Sequence, residues 1–188
     1  MSKNKILTLG IIFLLILNIY QFHQMNSLNK KLEGDLKGEL NSAFSVAKEI
    51  LPKELEKTIN TKQITRQEFD TIWYISNDIL FGIDDSLTFT KKYDIDFKVQ
   101  YQNNSNKLAG EVNSFHREFL NSKFQDGIEI VPLSDRDIEY LEVLKELSQS
   151  IGALTSTEVE TLNIEETIKR ISKISNQYEE ELNKIRSS

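Results

Sequence analysis

The sequence predicts a mainly α protein: a single N-terminal transmembrane helix, a helical stalk, and a soluble bundle of four or five helices. Three observations lead there. A charge-free apolar run occupies Ile6–Phe22. Beyond it, apolar residues recur at helical spacings. Two helix starts carry reciprocal capping signals, at Thr65 and Ser134. The implied divisions are a short basic tail at 1–5, an anchor at 6–22, a stalk at 23–60 and a helical domain at 61–188.

The run ILTLGIIFLLILNIYQF reaches roughly 25 Å as a helix, the short end of what spans a bilayer. Asn18 and Gln21 fall near its end, where an interface hydrates them, and Tyr20 suits that boundary. No pair of small residues with cleavage-site spacing lies between Asn18 and Leu32. The run therefore reads as an uncleaved signal-anchor rather than a removed leader. Lys3 and Lys5 before it favour a cytoplasmic N-terminus and an extracytoplasmic remainder, although Lys30 and Lys31 partly offset them.

The stalk is marked by Leu28, Leu32, Leu36, Leu40, Ala43, Ala47 and Ile50. Gly34 and Gly38 weaken that helix by about 1 kcal/mol each relative to Ala. They also match Gly-x-x-x-Gly, but they sit among charges, where that motif carries little weight. Pro52 ends or kinks the stalk and opens a helix over Pro52–Asn60.

Thr65-Arg66-Gln67-Glu68 is a capping box, with Ile64 and Phe69 placed as its hydrophobic staple. The following helix buries Phe69, Ile72, Trp73, Ile79, Leu80 and Ile83, and Ser76, Asn77 and Asp78 fall on its exposed side. Tyr93, Ile95, Phe97, Val99 and Tyr101 alternate with polar residues, so 87–101 reads as helix or as a short β-hairpin with Leu87 and Phe89 in the partner strand. Leu108, Val112, Phe115 and Phe119 predict a helix ending near Gly127, and Ile128–Leu133 an extended connector. Ser134 with Asp137 caps a helix carrying Ile138, Leu141, Leu144, Leu147 and Ile151, which Gly152 helps to end. The last helix carries Ile164, Ile168, Ile171, Ile174, Tyr178, Leu182 and Ile185, capped from Thr155 or from Asn163.

Charge narrows the partners. The chain has 23 basic and 29 acidic residues, a net charge of −6. No dense Lys/Arg run is present, so nucleic-acid binding is not expected. The absence of cysteine removes disulfides, Cys-ligated metal centres and thiol chemistry.

Catalytic patterns are weak. Ser-x-x-Lys occurs at Ser2–Lys5, Ser27–Lys30 and Ser45–Lys48, without the partner motifs a serine acyl-enzyme needs. His116 stands on the same helix as Glu111 and Glu118, but the set lacks metal-ligand spacing. Asp135 and Asp137 suit the first turn of a helix. The glycines form no phosphate-binding pattern. No catalytic, metal or cofactor site is expected, and the chain does not read as an enzyme.

Two functional readings remain ahead of an uncharacterised enzyme. In the first, the anchor holds the chain in membrane lipid through Ile6–Phe22 and the domain docks an unknown protein partner at the extracytoplasmic face. Trp73, Tyr74, Phe81 and Phe89 are its candidate contact residues. In the second, the bundle is an extracytoplasmic sensor with a small-ligand pocket built on Ser76, Asn77 and His116, acting through another protein.

Overall fold

A computed structural model describes residues 3–92, 104–124, 127–154 and 164–187; side chains at 3–13, 29, 86–87, 89–92, 104–106 and 164–165 lie outside that description. The elements in order are α1 (Lys3–Glu49), α2 (Leu51–Thr61), β1 (Gln63–Thr65), α3 (Arg66–Lys92), α4 (Asn104–Lys123), β2 (Ile130–Pro132), α5 (Asp135–Gly152) and α6 (Ile164–Ser187). The fold is mainly helical, as the periodicity predicts. Two compact units divide it, Met1–Leu36 and Lys37–Ser188. Much of the segment read as a stalk therefore belongs to the larger unit: Leu40, Ala43, Phe44 and Ala47 are all core residues.

In the smaller unit, Leu14, Leu15, Ile16, Leu17, Ile19, Tyr20, Phe22, Met25 and Leu28 are exposed, and Leu32 and Leu36 are buried. No helix among the described residues is long and apolar enough to cross a membrane. The first part of the predicted anchor, residues 6–13, falls outside the described side chains.

The larger unit is a helical bundle. α4 packs between α3 and α6, α5 packs on α6 and α2, and α2 touches α3. Each apolar stripe faces these neighbours. Phe69, Ile72, Ile79, Leu80 and Ile83 of α3 are buried, as are Leu108, Val112, Phe115 and Phe119 of α4. Leu141, Leu144, Leu147 and Ile151 of α5 join them, with Ile168, Ile171, Tyr178, Leu182 and Ile185 of α6. Burying one such side chain contributes about 1.5–3 kcal/mol.

The α1–α5 approach is unusually close. Ser148 Oγ donates to the Ala47 carbonyl at 2.6 Å. A Cβ on Gly152 would lie 2.6 Å from Lys48 Cα and 2.8 Å from Lys48 N. Gly152 is thus not a left-handed stop signal. It is the last residue of α5, followed by a right-handed Ala153, and its missing side chain admits the α1 backbone.

Both capping boxes form. Thr65 Oγ1 accepts from Glu68 N at 3.1 Å, and Glu68 Oε2 accepts from Thr65 N at 3.0 Å. Ser134 Oγ accepts from Asp137 N at 3.3 Å, and Asp137 Oδ2 accepts from Ser134 N at 2.8 Å. Lys123 at the end of α4 reaches Asp137 at 3.2 Å, so the α5 cap also ties α4 down.

Two predictions of extended structure also differ from what forms. Ile128–Leu133 is not a plain connector: β2 within it pairs antiparallel with β1, Ile64 opposite Val131. The pairing is extended by Leu133 N to Lys62 O at 3.0 Å and Arg66 N to Glu129 O at 2.9 Å. Pro132 fits because, among the described residues, this sheet has two strands and leaves an edge free. The second concerns the hairpin near 87–101. Leu87 and Phe89 belong to α3, so they form no partner strand. Residues 93–101 lie outside the described residues, as do the cap candidates Thr155 and Asn163.

Candidate functional site

α3 carries most of the predicted site residues, and its start is fixed from two sides. The Thr65–Glu68 box sets its first turn, and Lys57 on α2 donates to Glu68 Oε1 at 2.6 Å. That bond and the Thr65 amide hold the Glu68 carboxyl below its ordinary value.

One turn on, the aromatic residues of α3 meet α4. Trp73 is half-buried, and its Nε1 donates to Asn113 Oδ1 at 2.8 Å. The His116 ring lies between two aromatic faces, stacked on Trp73 at 4.4 Å and on Phe69 at 4.9 Å between ring centres. Its Nε2 is 3.6 Å from Asp70 Oδ1. Burial lowers the His116 pKa from 6.5, and Asp70 opposes that shift without cancelling it. Below it, Phe115 stacks on Tyr140, whose phenol is pushed upward chiefly by burial.

Ser76 and Asn77 are buried, contrary to the exposed side expected for them. Ser76 is satisfied by the preceding turn, which lets a polar residue enter a helix core, whereas Asn77 is bonded only through its Nδ2 and its buried Oδ1 has no partner among the described residues. Ser76 Oγ donates to Ile72 O at 2.7 Å. Asn77 Nδ2 donates to Trp73 O and to Asn113 Oδ1, both at 3.2 Å. Asp78 alone of the three is exposed.

Ser76 and His116 thus border one small cavity, and Asn77 bonds to Asn113 across the α3–α4 contact. The cavity bordered by Ser76 and His116, with Phe69, Phe115 and Tyr140, measures about 10 Å³. That is near the lower limit for one water and far below a ligand pocket.

The outer side of the same helix is open. Tyr74 is 68% exposed and Phe81 47%. They lie seven residues apart, on one face. A surface groove of about 940 Å³ runs past Tyr74 and Trp73, with Arg66, Asp70 and Glu129 on its walls. Phe89 lies in α3, but its side chain is outside the description. Of the four predicted contact residues, then, two are exposed and Trp73 forms a half-buried wall.

Asn113 is the acceptor shared by Trp73 and Asn77; it is a polar residue beside an apolar stripe, and nothing in its spacing sets it apart. Glu111 and Glu118 have a structural role. Arg186 of α6 binds both, Nε to Glu111 at 2.8 Å and Nη1 to Glu118 at 2.9 Å. Arg136 of α5 donates to the carbonyls of Ile185 and Arg186, closing the last turn of α6. These carboxylates are a helix clamp. No group of three or more metal-capable side chains occurs among the described residues.

No protein family, curated protein or solved structure matches this chain.

Proposed function

We propose that the chain is a membrane-anchored helical protein whose larger unit docks a partner protein at the extracytoplasmic face. The observation that carries the docking is the exposed pair Tyr74 and Phe81, the first of them on the wall of an open groove, on a helix whose other faces are locked into the bundle. Large aromatic groups left in water next to a concave surface mark protein interfaces.

The anchor is supported by the end of Ile6–Phe22 whose side chains are described. Leu14, Leu15, Ile16, Leu17 and Ile19 occupy every side of a helix and are all exposed. An all-round apolar helix needs an apolar surrounding. The polar Asn18 is compatible with lipid, because its Nδ2 donates to the Leu14 carbonyl at 2.9 Å within the same helix. Lys3 and Lys5 favour the cytoplasm by the positive-inside rule, which directs the larger unit outward.

Site-specific photocrosslinking in cells tests the docking. A benzophenone residue replacing Tyr74 or Phe81 is expected to form discrete adducts with another protein. The same residue replacing Glu142, exposed on α5, is expected to form none. Absence of adducts from both α3 positions contradicts the reading. Protease accessibility of the larger unit on intact cells tests its direction.

A further inference from the structure

Five successive outward positions of α3 are Asp70, Tyr74, Asp78, Phe81 and Asp85, and all five are exposed. Their spacings of four, four, three and four keep them within one narrow arc of the helix. Carboxylate and aromatic ring thus alternate along about 22 Å of surface. No lysine or arginine interrupts the stripe between Asp70 and Asp85; Arg66 lies one turn before its first end, on the groove wall.

A helix face that only needs solvation carries mixed charges, commonly acid and base at four-residue spacing. This one pairs a single sign of charge with rings too large to be left in water without cost. The two aromatics supply apolar contact area and faces for cations, and the three aspartates supply the field. The wall at its first end is rigid, because Trp73 is held by Asn113 and stacked on His116. A surface of this kind fits an amphipathic segment in which Lys or Arg alternates with apolar residues at helical spacing. It repels an acidic one.

We infer that the α3 stripe is the docking site for a cationic amphipathic segment of the partner protein. The inference rests on the docking role proposed above and adds the chemistry of the partner. A second copy of this chain is a poor occupant by charge, since the chain is net −6.

The test uses the full chain in neutral detergent and a synthetic helical peptide of alternating Lys and Leu faces. A scrambled peptide of the same composition and a peptide with Glu in place of Lys are the comparisons. The Lys–Leu peptide is expected to bind, the scrambled one at least tenfold more weakly and the Glu peptide not at all. Replacing Asp78 and Asp85 with Asn is expected to weaken binding about threefold to tenfold and to flatten its salt dependence. Replacing Tyr74 and Phe81 with Ser is expected to weaken it about tenfold or more. Asp70 stays intact because it faces His116. Neutralising the exposed Glu139 and Glu142 of α5 to Gln is the charge control and is expected to change binding less than about twofold.

Equal binding of scrambled and ordered peptides overturns the inference, and so does equal loss in the α5 control. If in-cell adducts from Tyr74 and Phe81 persist when the peptide fails, the docking surface stands and its cationic partner does not. Adducts between two copies of the chain also overturn it. All of these variants are surface changes, and circular dichroism verifies their fold.

Discussion

Replacing Gly152 with Ala tests the closest backbone approach in the fold. The new Cβ would meet Lys48 Cα at 2.6 Å and Lys48 Cβ and N at 2.8 Å. Ordinary contacts are near 3.4–4 Å, so α1 and α5 must separate by about 1 Å or their ends must distort. Overpacking of this kind costs about 1–3 kcal/mol. The separation also stretches the Ser148–Ala47 bond one turn away, now 2.6 Å, worth about 0.5–1.5 kcal/mol. Better helix propensity of Ala returns up to about 1 kcal/mol. The expected net loss is about 2–3 kcal/mol on those terms. Urea unfolding followed by the fluorescence of Trp73, the only tryptophan, reads it directly. Gly110→Ala is the control: nothing lies within 4 Å of the position its methyl would take, and the same propensity term should stabilise α4 by up to about 1 kcal/mol. A Gly152→Ala chain as stable as the parent refutes the packing argument.

Three further outcomes follow from the core. His116 has a folded-state pKa below 6.5, so on acidification the unfolded chain gains its proton first; stability contributed by the neutral ring is full above about pH 7.5 and falls as pH drops through 6.5 toward the lower folded value. Denaturation curves between about pH 5 and 8 should show this slope, and His116→Phe should reduce it. Arg186→Met leaves the carboxylate of Glu111 without its partner and should lower stability by about 1–2 kcal/mol, with the loss concentrated in amide exchange of α6. Trp73→Phe keeps the stacking face but removes the donor to Asn113, and should cost about 1 kcal/mol while leaving Tyr74 and Phe81 adducts unchanged.

The fold was legible where a local pattern decides it. The stripe of α6 and the two capping boxes are local, and Ile168, Leu182, Thr65–Glu68 and Ser134–Asp137 stand where periodicity and chemistry place them. Pairing of β1 with β2 was not legible. Each strand is three residues long and both α3 and α4 separate them, so no turn signal joins Ile64 to Val131. Ser76 and Asn77 were misplaced for another reason. α3 is covered by α2, α4 and β1, so its buried arc is wider than an apolar count suggests; Ser76 fits within it by bonding to the preceding turn, and Asn77 by bonding to the preceding turn and to Asn113 through Nδ2. Gly152 looked like a helix stop because sequence carries no sign of the α1 backbone opposite it. For the candidate site, Tyr74 and Phe81 were recognisable as large groups off the apolar stripe. The lock on Trp73 depends on Asn113, forty residues away, and only the packing of α3 on α4 brings them together.

Extraction of cell membranes with alkaline carbonate tests the central proposal, that Ile6–Phe22 holds a helical docking unit at a membrane. The full chain is expected to stay with the membrane pellet, and a chain lacking residues 2–22 to move to the supernatant while keeping its helical circular dichroism signal. Release of the full chain by carbonate contradicts the account.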